Sequence, residues 1–201
     1  MLITAIEERK KGMSALFIDG EYVSGIDTVT LMSSGKKTGS EITDEELFDL
    51  LEASKLARAK EKAMYLIEYR ARTRKELEEK LAALYGEKAA EAAICRLEEL
   101  GLINDEDFAR EYARQLFEKK HYPARRVVFE LIKKGISREL AEEITEEYEA
   151  DPVSQIRSLL YTKYSRYLDS EKGLQKTING LKSMGFSWYD IKDAMSDHLT
   201  Y

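Results

Sequence analysis

The spacing of apolar residues changes part-way along the chain. Within residues 1–53, short runs rich in β-formers lie at 2–7, 14–18 and 21–26, each broken by polar positions. That is the pattern of short, half-buried strands. Asp19-Gly20 separates the second run from the third. This dipeptide tolerates the positive φ that a two-residue hairpin turn demands, so a small antiparallel sheet is predicted. Residues 28–40 give mixed signals, and Ser33-Ser34-Gly35-Lys36-Lys37-Thr38-Gly39-Ser40 reads as loop. Thr43-Asp44-Glu45-Glu46 then places a hydroxyl at a helix N-cap and a carboxylate three residues on, a capping box. Leu47, Leu50 and Leu51 follow at helical spacing.

Beyond Ser54 the helical period persists, and the sequence repeats. Leu131-Ile132-Lys133-Lys134-Gly135-Ile136-Ser137 aligns with Leu181-Lys182-Ser183-Met184-Gly185-Phe186-Ser187 at an offset of fifty residues. A glycine can take the left-handed conformation that ends one helix, and the serine caps the next. The apolar residue between them can staple onto the fourth helical position, here Ala141 and Ile191. Leu81-Ala82-Ala83-Leu84-Tyr85-Gly86 is a weaker third copy with one residue inserted. Three helices per unit are predicted at 56–70, 75–84 and 88–100, then 106–119, 124–134 and 138–149, then 152–167, 171–184 and 188–199. Asp151-Pro152 suits the cap and first turn of the seventh of these helices. The expected architecture is therefore mainly α. A β-hairpin extension with a short helix (1–53) precedes three-helix repeats at 54–101, 102–150 and 151–201, stacked into an elongated, curved array.

Composition narrows the function classes. No apolar run approaches the length of a membrane span. The N-terminus, with Glu7 and Glu8 directly after a few apolar residues, is unlike a signal peptide, so a cytoplasmic protein is expected. Cys95 is the single cysteine; flanked by Ile94 and Leu97, it reads as a small core residue. His121 and His198 are the only histidines and stand in no metal-ligand spacing. Without a phosphate loop or nucleophile elbow, neither enzyme activity nor a cofactor or metal is expected.

The net charge of −6 argues against a surface given over wholly to nucleic acid, yet the cations are concentrated. Arg70, Arg72, Arg74 and Lys75 gather where the first helix of unit one meets the second. Lys119, Lys120, Arg125 and Arg126 do so in unit two, around His121 and Tyr122. Unit three is more dilute, with Lys163, Arg166, Lys172 and Lys176. Acids gather on the third helices, Glu87, Glu91, Glu98 and Glu99 in one and Glu139, Glu142, Glu143, Glu146, Glu147 and Glu149 in the next. Cations at a helix C-terminus complement its dipole, which accounts for Arg70 and Lys119. Arg74, Lys75, Arg125 and Arg126 open the following helix, where a cation is unfavourable. A basic edge facing DNA phosphates or an acidic protein groove is the alternative, with Tyr122 beside it as a stacking candidate. Tyr65, Tyr69, Phe108, Tyr112 and Phe117 fall at helical spacing and are assigned to the core, as is Leu131, while Trp188, straight after its serine cap, is read as packing rather than recognition. If Arg72 and Arg74 are exposed, replacing both with glutamate should barely alter stability.

The stretch Ala63-Met64-Tyr65-Leu66-Ile67-Glu68-Tyr69-Arg70-Ala71-Arg72-Thr73-Arg74-Lys75-Glu76-Leu77 resembles the opening signature of RecX proteins. So do Gly101-Leu102-Ile103-Asn104-Asp105-Glu106-Asp107-Phe108-Ala109 and Pro123-Ala124-Arg125-Arg126 leading to Glu130-Leu131 and Gly135-Ile136. The resemblance is strongest over residues 63–136, and the β-hairpin extension is similar to that of the longer Gram-positive members. It implies a regulator of RecA that lies in the groove of the RecA–DNA filament and blocks its growth or promotes disassembly; a monomer is expected. Some such proteins also bind DNA, and a stand-alone DNA-binding helical module is the alternative. The contact residues expected are Arg70, Arg72, Arg74, Lys75, Lys119, Lys120, Tyr122, Arg125 and Arg126.

Overall fold

A computed structural model describes residues 1–148 and 150–198. The expected roles of Glu149 in an acidic helix and of Leu199 as a helix end lie outside the described residues. The chain divides into two compact units, residues 1–104 and 105–201.

In the first unit, β1 (Ile3–Arg9), β2 (Met13–Ile18) and β3 (Glu21–Asp27) form an antiparallel sheet in the order β1-β2-β3. The turn between β2 and β3 is Asp19-Gly20, with φ of 50° and 88°. It pairs Ile18 with Glu21. The sheet buries Ile3, Leu16, Ile18 and Ile26 against Leu31 of a short helix, α1 (Thr28–Ser33), and against Ile42 and Leu50. The mixed signals at 28–33 thus resolve as about a turn and a half of helix, begun by the Asp27 side chain accepting from Thr30 N at 2.8 Å.

Helix α2 runs unbroken from Asp44 to Tyr69, opened by the Thr43–Glu46 capping box. The helix expected to start at 56 is therefore the second half of a longer one. At about 1.5 Å per residue, it is long enough to serve two cores. Its N-terminal part packs on the sheet. Its C-terminal part joins α3 (Arg74–Tyr85) and α4 (Glu87–Glu99) around Ala63, Leu66, Leu77, Leu81, Ala90, Ile94, Leu97 and Ile103. Ser54 lies inside α2, and its buried hydroxyl accepts from Asp27 N at 2.8 Å, tying helix to sheet.

The second unit holds two further helical triplets. Helices α5 (Asp105–Glu118), α6 (Ala124–Lys133) and α7 (Arg138–Glu146) enclose Ala109, Ala113, Leu116, Phe117, Val127, Leu131, Ile136, Ala141 and Ile144. Helices α8 (Pro152–Leu159), α9 (Glu171–Met184) and α10 (Trp188–Ala194) enclose Ile156, Leu159, Leu160, Tyr164, Ile178, Leu181, Phe186, Ile191 and Met195. Both staple pairs, Ile136 with Ala141 and Phe186 with Ile191, share a core. Ser137 and Ser187 cap α7 and α10 as the repeat predicts.

Two details depart from the helix pattern. The segment expected as one helix over 152–167 is α-helical only to Leu159. It then widens to a π-turn (Leu160–Tyr164) and tightens to a 3₁₀ turn (Ser165–Tyr167). Tyr65 and Tyr69, assigned above to the core, point outward, with 62% and 81% of their surface exposed. Ala59, Ala63 and Leu66 occupy the inward face instead. Trp188 is likewise half exposed, with Lys182 Nζ 4.8 Å from its ring centre. Phe108 and Tyr112 are half-buried against the second-repeat core, and Phe117 and Leu131 are buried in it. Cys95 is half-buried rather than in the core.

Candidate partner-binding surface

The cations singled out by sequence fall into two kinds. At the α2–α3 corner, Thr73 is fully buried and its hydroxyl caps α3 by accepting from Glu76 N at 3.2 Å. This folds the flanking arginines onto the protein. Arg72 has only 9% of its side chain exposed, donates from Nε to the Leu66 carbonyl at 3.2 Å, and lies 3.7 Å from Glu76 Oε2. Arg70 reaches the same carboxylate at 2.8 Å. Arg74 pairs with both Glu98 and Glu91 on α4. The Glu98 carboxylate holds its guanidinium above the ordinary arginine range. Glu91 is in turn held below the usual carboxylate range, by the Cys95 thiol first and then by Arg74. This is why an arginine can open α3: carboxylates from another helix offset its unfavourable place at the positive end of the dipole. The premise that Arg72 and Arg74 are freely exposed is thereby corrected. Lys75 is exposed and makes no ion pair among the described residues.

At the α5–α6 corner the situation differs. Lys119, Lys120 and Arg125 are exposed, and no ion pair engages them among the described residues. His121, with φ of 52°, turns the chain after α5, and buried Pro123 sets the start of α6. Tyr122 is half-buried against the second-repeat core. Arg126 lies over it at 5.7 Å and over Phe129 at 5.3 Å, and its guanidinium pairs with Glu130 at 2.6 Å. Arg126 is therefore bound within its own helix, whereas Lys119, Lys120 and Arg125 keep their charge for solvent or a partner. Half-exposed Phe129, flanked by Arg126 and Lys133, completes this surface. It escaped the sequence reading because its spacing from Ile132 and Val128 is that of any amphipathic helix. The first-repeat and second-repeat groups belong to different compact units.

Among the described residues, no group of three or more His, Cys, Asp or Glu side chains could hold a metal ion. Among the described residues, no helix is long and apolar enough to cross a membrane. A groove of about 420 Å³ lies between α1 and α2, lined in part by Thr30, Ser33, Lys36, Asp49 and Leu50. Lys36 is bound there to Glu46 at 2.8 Å.

Comparison with known proteins accounts for this layout. Residues 59–97 match the family described as the first three-helix domain of RecX, and residues 104–144 match its second three-helix domain. A regulatory protein RecX from Caldanaerobacter subterraneus subsp. tengcongensis is 30% identical over 200 residues, covering 98% of this chain and 99% of the relative. The chain belongs to the RecX family. A regulatory protein RecX from Streptococcus pneumoniae is 31% identical over 204 residues, spanning 98% of this chain and 77% of that one. A crystal structure of RecX from Lactobacillus salivarius superposes with a TM-score of 0.59 at 28% identity, covering 73% of this chain and 97% of that one. Another regulatory protein RecX crystal structure, at 22% identity, shares the fold over 98% of both chains with a TM-score of 0.64. Tandem three-helix domains behind a small β-sheet are thus a RecX arrangement, and the role that goes with it is regulatory.

Proposed function

We propose that this chain regulates RecA by binding the groove of the RecA–DNA filament, where it blocks growth of the filament or promotes its disassembly. The observation that supports the reading is the set of exposed cations Lys119, Lys120 and Arg125, engaged by no ion pair among the described residues, on a RecX-family scaffold. The mechanism is binding and not catalysis. Contacts spread over consecutive repeats, divided as 54–101, 102–150 and 151–201, add through effective concentration. Within the first repeat, Arg70 and Lys75 are the contact candidates, while Arg72 and Arg74 shape the corner that presents them. Tyr122 and Arg126 support the second-repeat corner in the same way. The chain acts as a cytoplasmic monomer.

The test is the single-stranded-DNA-dependent ATPase of RecA, titrated with this protein after filaments have formed. Inhibition below the RecA concentration is expected. No effect even in excess would sink the proposal. Lys119→Glu with Lys120→Glu and Arg125→Glu should raise the concentration needed for inhibition at least tenfold, a loss of about 1.4 kcal/mol. Stability should stay within about 0.5 kcal/mol, as for exposed positions generally.

A further inference from the structure

Residues 41–52 carry six acids, Glu41, Asp44, Glu45, Glu46, Asp49 and Glu52, and no cation. Most of them have a local explanation. Asp44, Glu45 and Glu46 stand in the first turn of α2, where the helix dipole favours acids. Glu46 also takes Lys36 at 2.8 Å, and Glu52 takes Lys55 at 2.7 Å. Asp49 has neither reason. It stands beyond the first turn and is exposed, and no hydrogen bond or ion pair engages it among the described residues. Glu45, one turn before it and also without an ion pair among the described residues, shares its face. Like charges at that spacing repel.

Asp49 lines the groove between α1 and α2. The groove stays open because small residues border it, Thr30, Ser33 and Ser34 from α1 and its end and Ala53 from α2. Its volume of about 420 Å³ falls in the range of ligand sites, about 300–1,000 Å³. Two of the hydroxyls are turned back on α1 and its cap. Thr30 donates to Asp27 Oδ1 at 2.8 Å and Ser34 to the Leu31 carbonyl at 2.6 Å. The Ser33 hydroxyl makes no hydrogen bond among the described residues. Lys36 and Glu46 on the walls neutralise each other, and Lys36 is held further by the Glu41 carbonyl at 3.1 Å. What remains is one carboxylate, one hydroxyl and the apolar surface of Leu50 and Ala53. That combination fits a cation on an aliphatic stem, whose methylenes cover apolar surface while the head meets an acid. Val29 and Met32, 70% and 75% exposed, add apolar surface on the same short helix. A free polyamine has no use for them, whereas the neighbours of a basic side chain in a peptide do.

We infer that the α1–α2 groove receives an arginine or lysine side chain from a basic, amphipathic segment of a partner protein. The stem lies on Leu50 and Ala53, the charged head meets Asp49 and Ser33, and apolar neighbours of that side chain meet Val29 and Met32. The basic corners attract an anionic partner and this groove a cationic one, so the two contacts are separate. The full chain is titrated against a fluorescein-labelled peptide of arginine, leucine and alanine, about 14 residues long with its leucines at helical spacing. Anisotropy is read at about 100 mM salt, where exposed charges more than about 10 Å apart are screened and a close contact in the groove persists. Asp49→Asn should weaken binding about tenfold, the loss of one charged hydrogen-bonded contact. Ala53→Leu fills the groove without altering its charge and should weaken binding at least as much. Both positions are exposed, and an unchanged circular dichroism melt checks that each variant is folded. Glu143→Gln, which removes an exposed acid from α7, should leave binding as it is. Failure of the wild type to bind, either groove variant binding like the wild type, or Glu143→Gln weakening binding as much as Asp49→Asn would each overturn the inference. So would full displacement of the peptide by an equal concentration of spermidine, which would make the ligand a free amine. A dimer in sedimentation that Ala53→Leu abolishes would make the occupant a second copy and overturn it too.

Discussion

Arg72 shows how far a charged residue's role depends on what lies around it. With 9% of its side chain exposed and Nε bonded to the Leu66 carbonyl, it closes the C-terminal end of α2 and shares Glu76 with Arg70. Arg72→Ala removes a bond to a helix-end carbonyl and one of two cations beside a mostly buried carboxylate. A loss of about 1–3 kcal/mol is expected, read as a lower midpoint in urea denaturation with an unchanged slope. Lys75→Ala, three residues away on the exposed side, should leave the midpoint in place. A surface counterpart is Glu111, held down to about 2 by the Arg114 guanidinium first and then by Gln115. A carboxyl depressed when folded contributes stability that is present above its unfolded value, about 4.3, and lost as pH falls through the folded one. For Glu111 that window runs from about pH 5 to 2, and its exposure keeps the contribution small. Titration followed by NMR should place this carboxyl near the bottom of the window. Arg114→Gln should return it toward the ordinary glutamate value; a carboxyl that stays low in that variant would refute the assigned cause.

Elements whose causes are local could be read from sequence, and those with distant causes could not. The Asp19-Gly20 turn, the Thr43 capping box and the serine caps at Ser137 and Ser187 all appear where expected, since each is decided within a few residues. Helix α2 runs through Ser54, whose hydroxyl meets Asp27 N from the sheet, and the outward turn of Tyr65 and Tyr69 depends on which face α3 and α4 cover. In sequence, an exposed i, i+4 aromatic pair looks the same as a buried one. The π-turn after Leu159 also has a distant cause. A Cβ on Gly180 would stand 2.5 Å from Tyr164 Oη, and one on Gly173 would stand 1.9 Å from the Tyr167 carbonyl oxygen. The irregular segment lies against α9 because both positions lack a side chain. Gly180→Ala should therefore cost about 1–3 kcal/mol, as overpacking does. Adding Tyr164→Phe, which removes the atom in the way, should recover part of that loss. Strictly additive effects of the two changes on the thermal midpoint would show that they do not meet.

At the scale of the whole molecule, the cations could be counted in sequence, but their partners could not be identified. Arg74 is neutralised by acids seventeen and twenty-four residues away, while among the described residues no ion pair engages Lys119, Lys120 or Arg125. Near-equal clusters in sequence therefore become a braced corner in one repeat and a free one in the next. The cores are also separately owned. Among the described residues, the sheet core and the two clusters around α2–α4 lie within residues 1–104, and the other two cores lie within 105–201. The break at Asn104–Asp105 falls just before α5, between Ile103, which closes the first-repeat core, and Ala109, which opens the second. Cutting there divides no core. Each half, at about a hundred residues, has the size of an ordinary domain and should hold roughly 5 kcal/mol or more by itself. Produced separately, residues 1–104 and 105–201 are each expected to show helical circular dichroism and a single cooperative melt. A half that melts gradually, or recovers a sharp transition only when the other is added, would show that its stability is not its own.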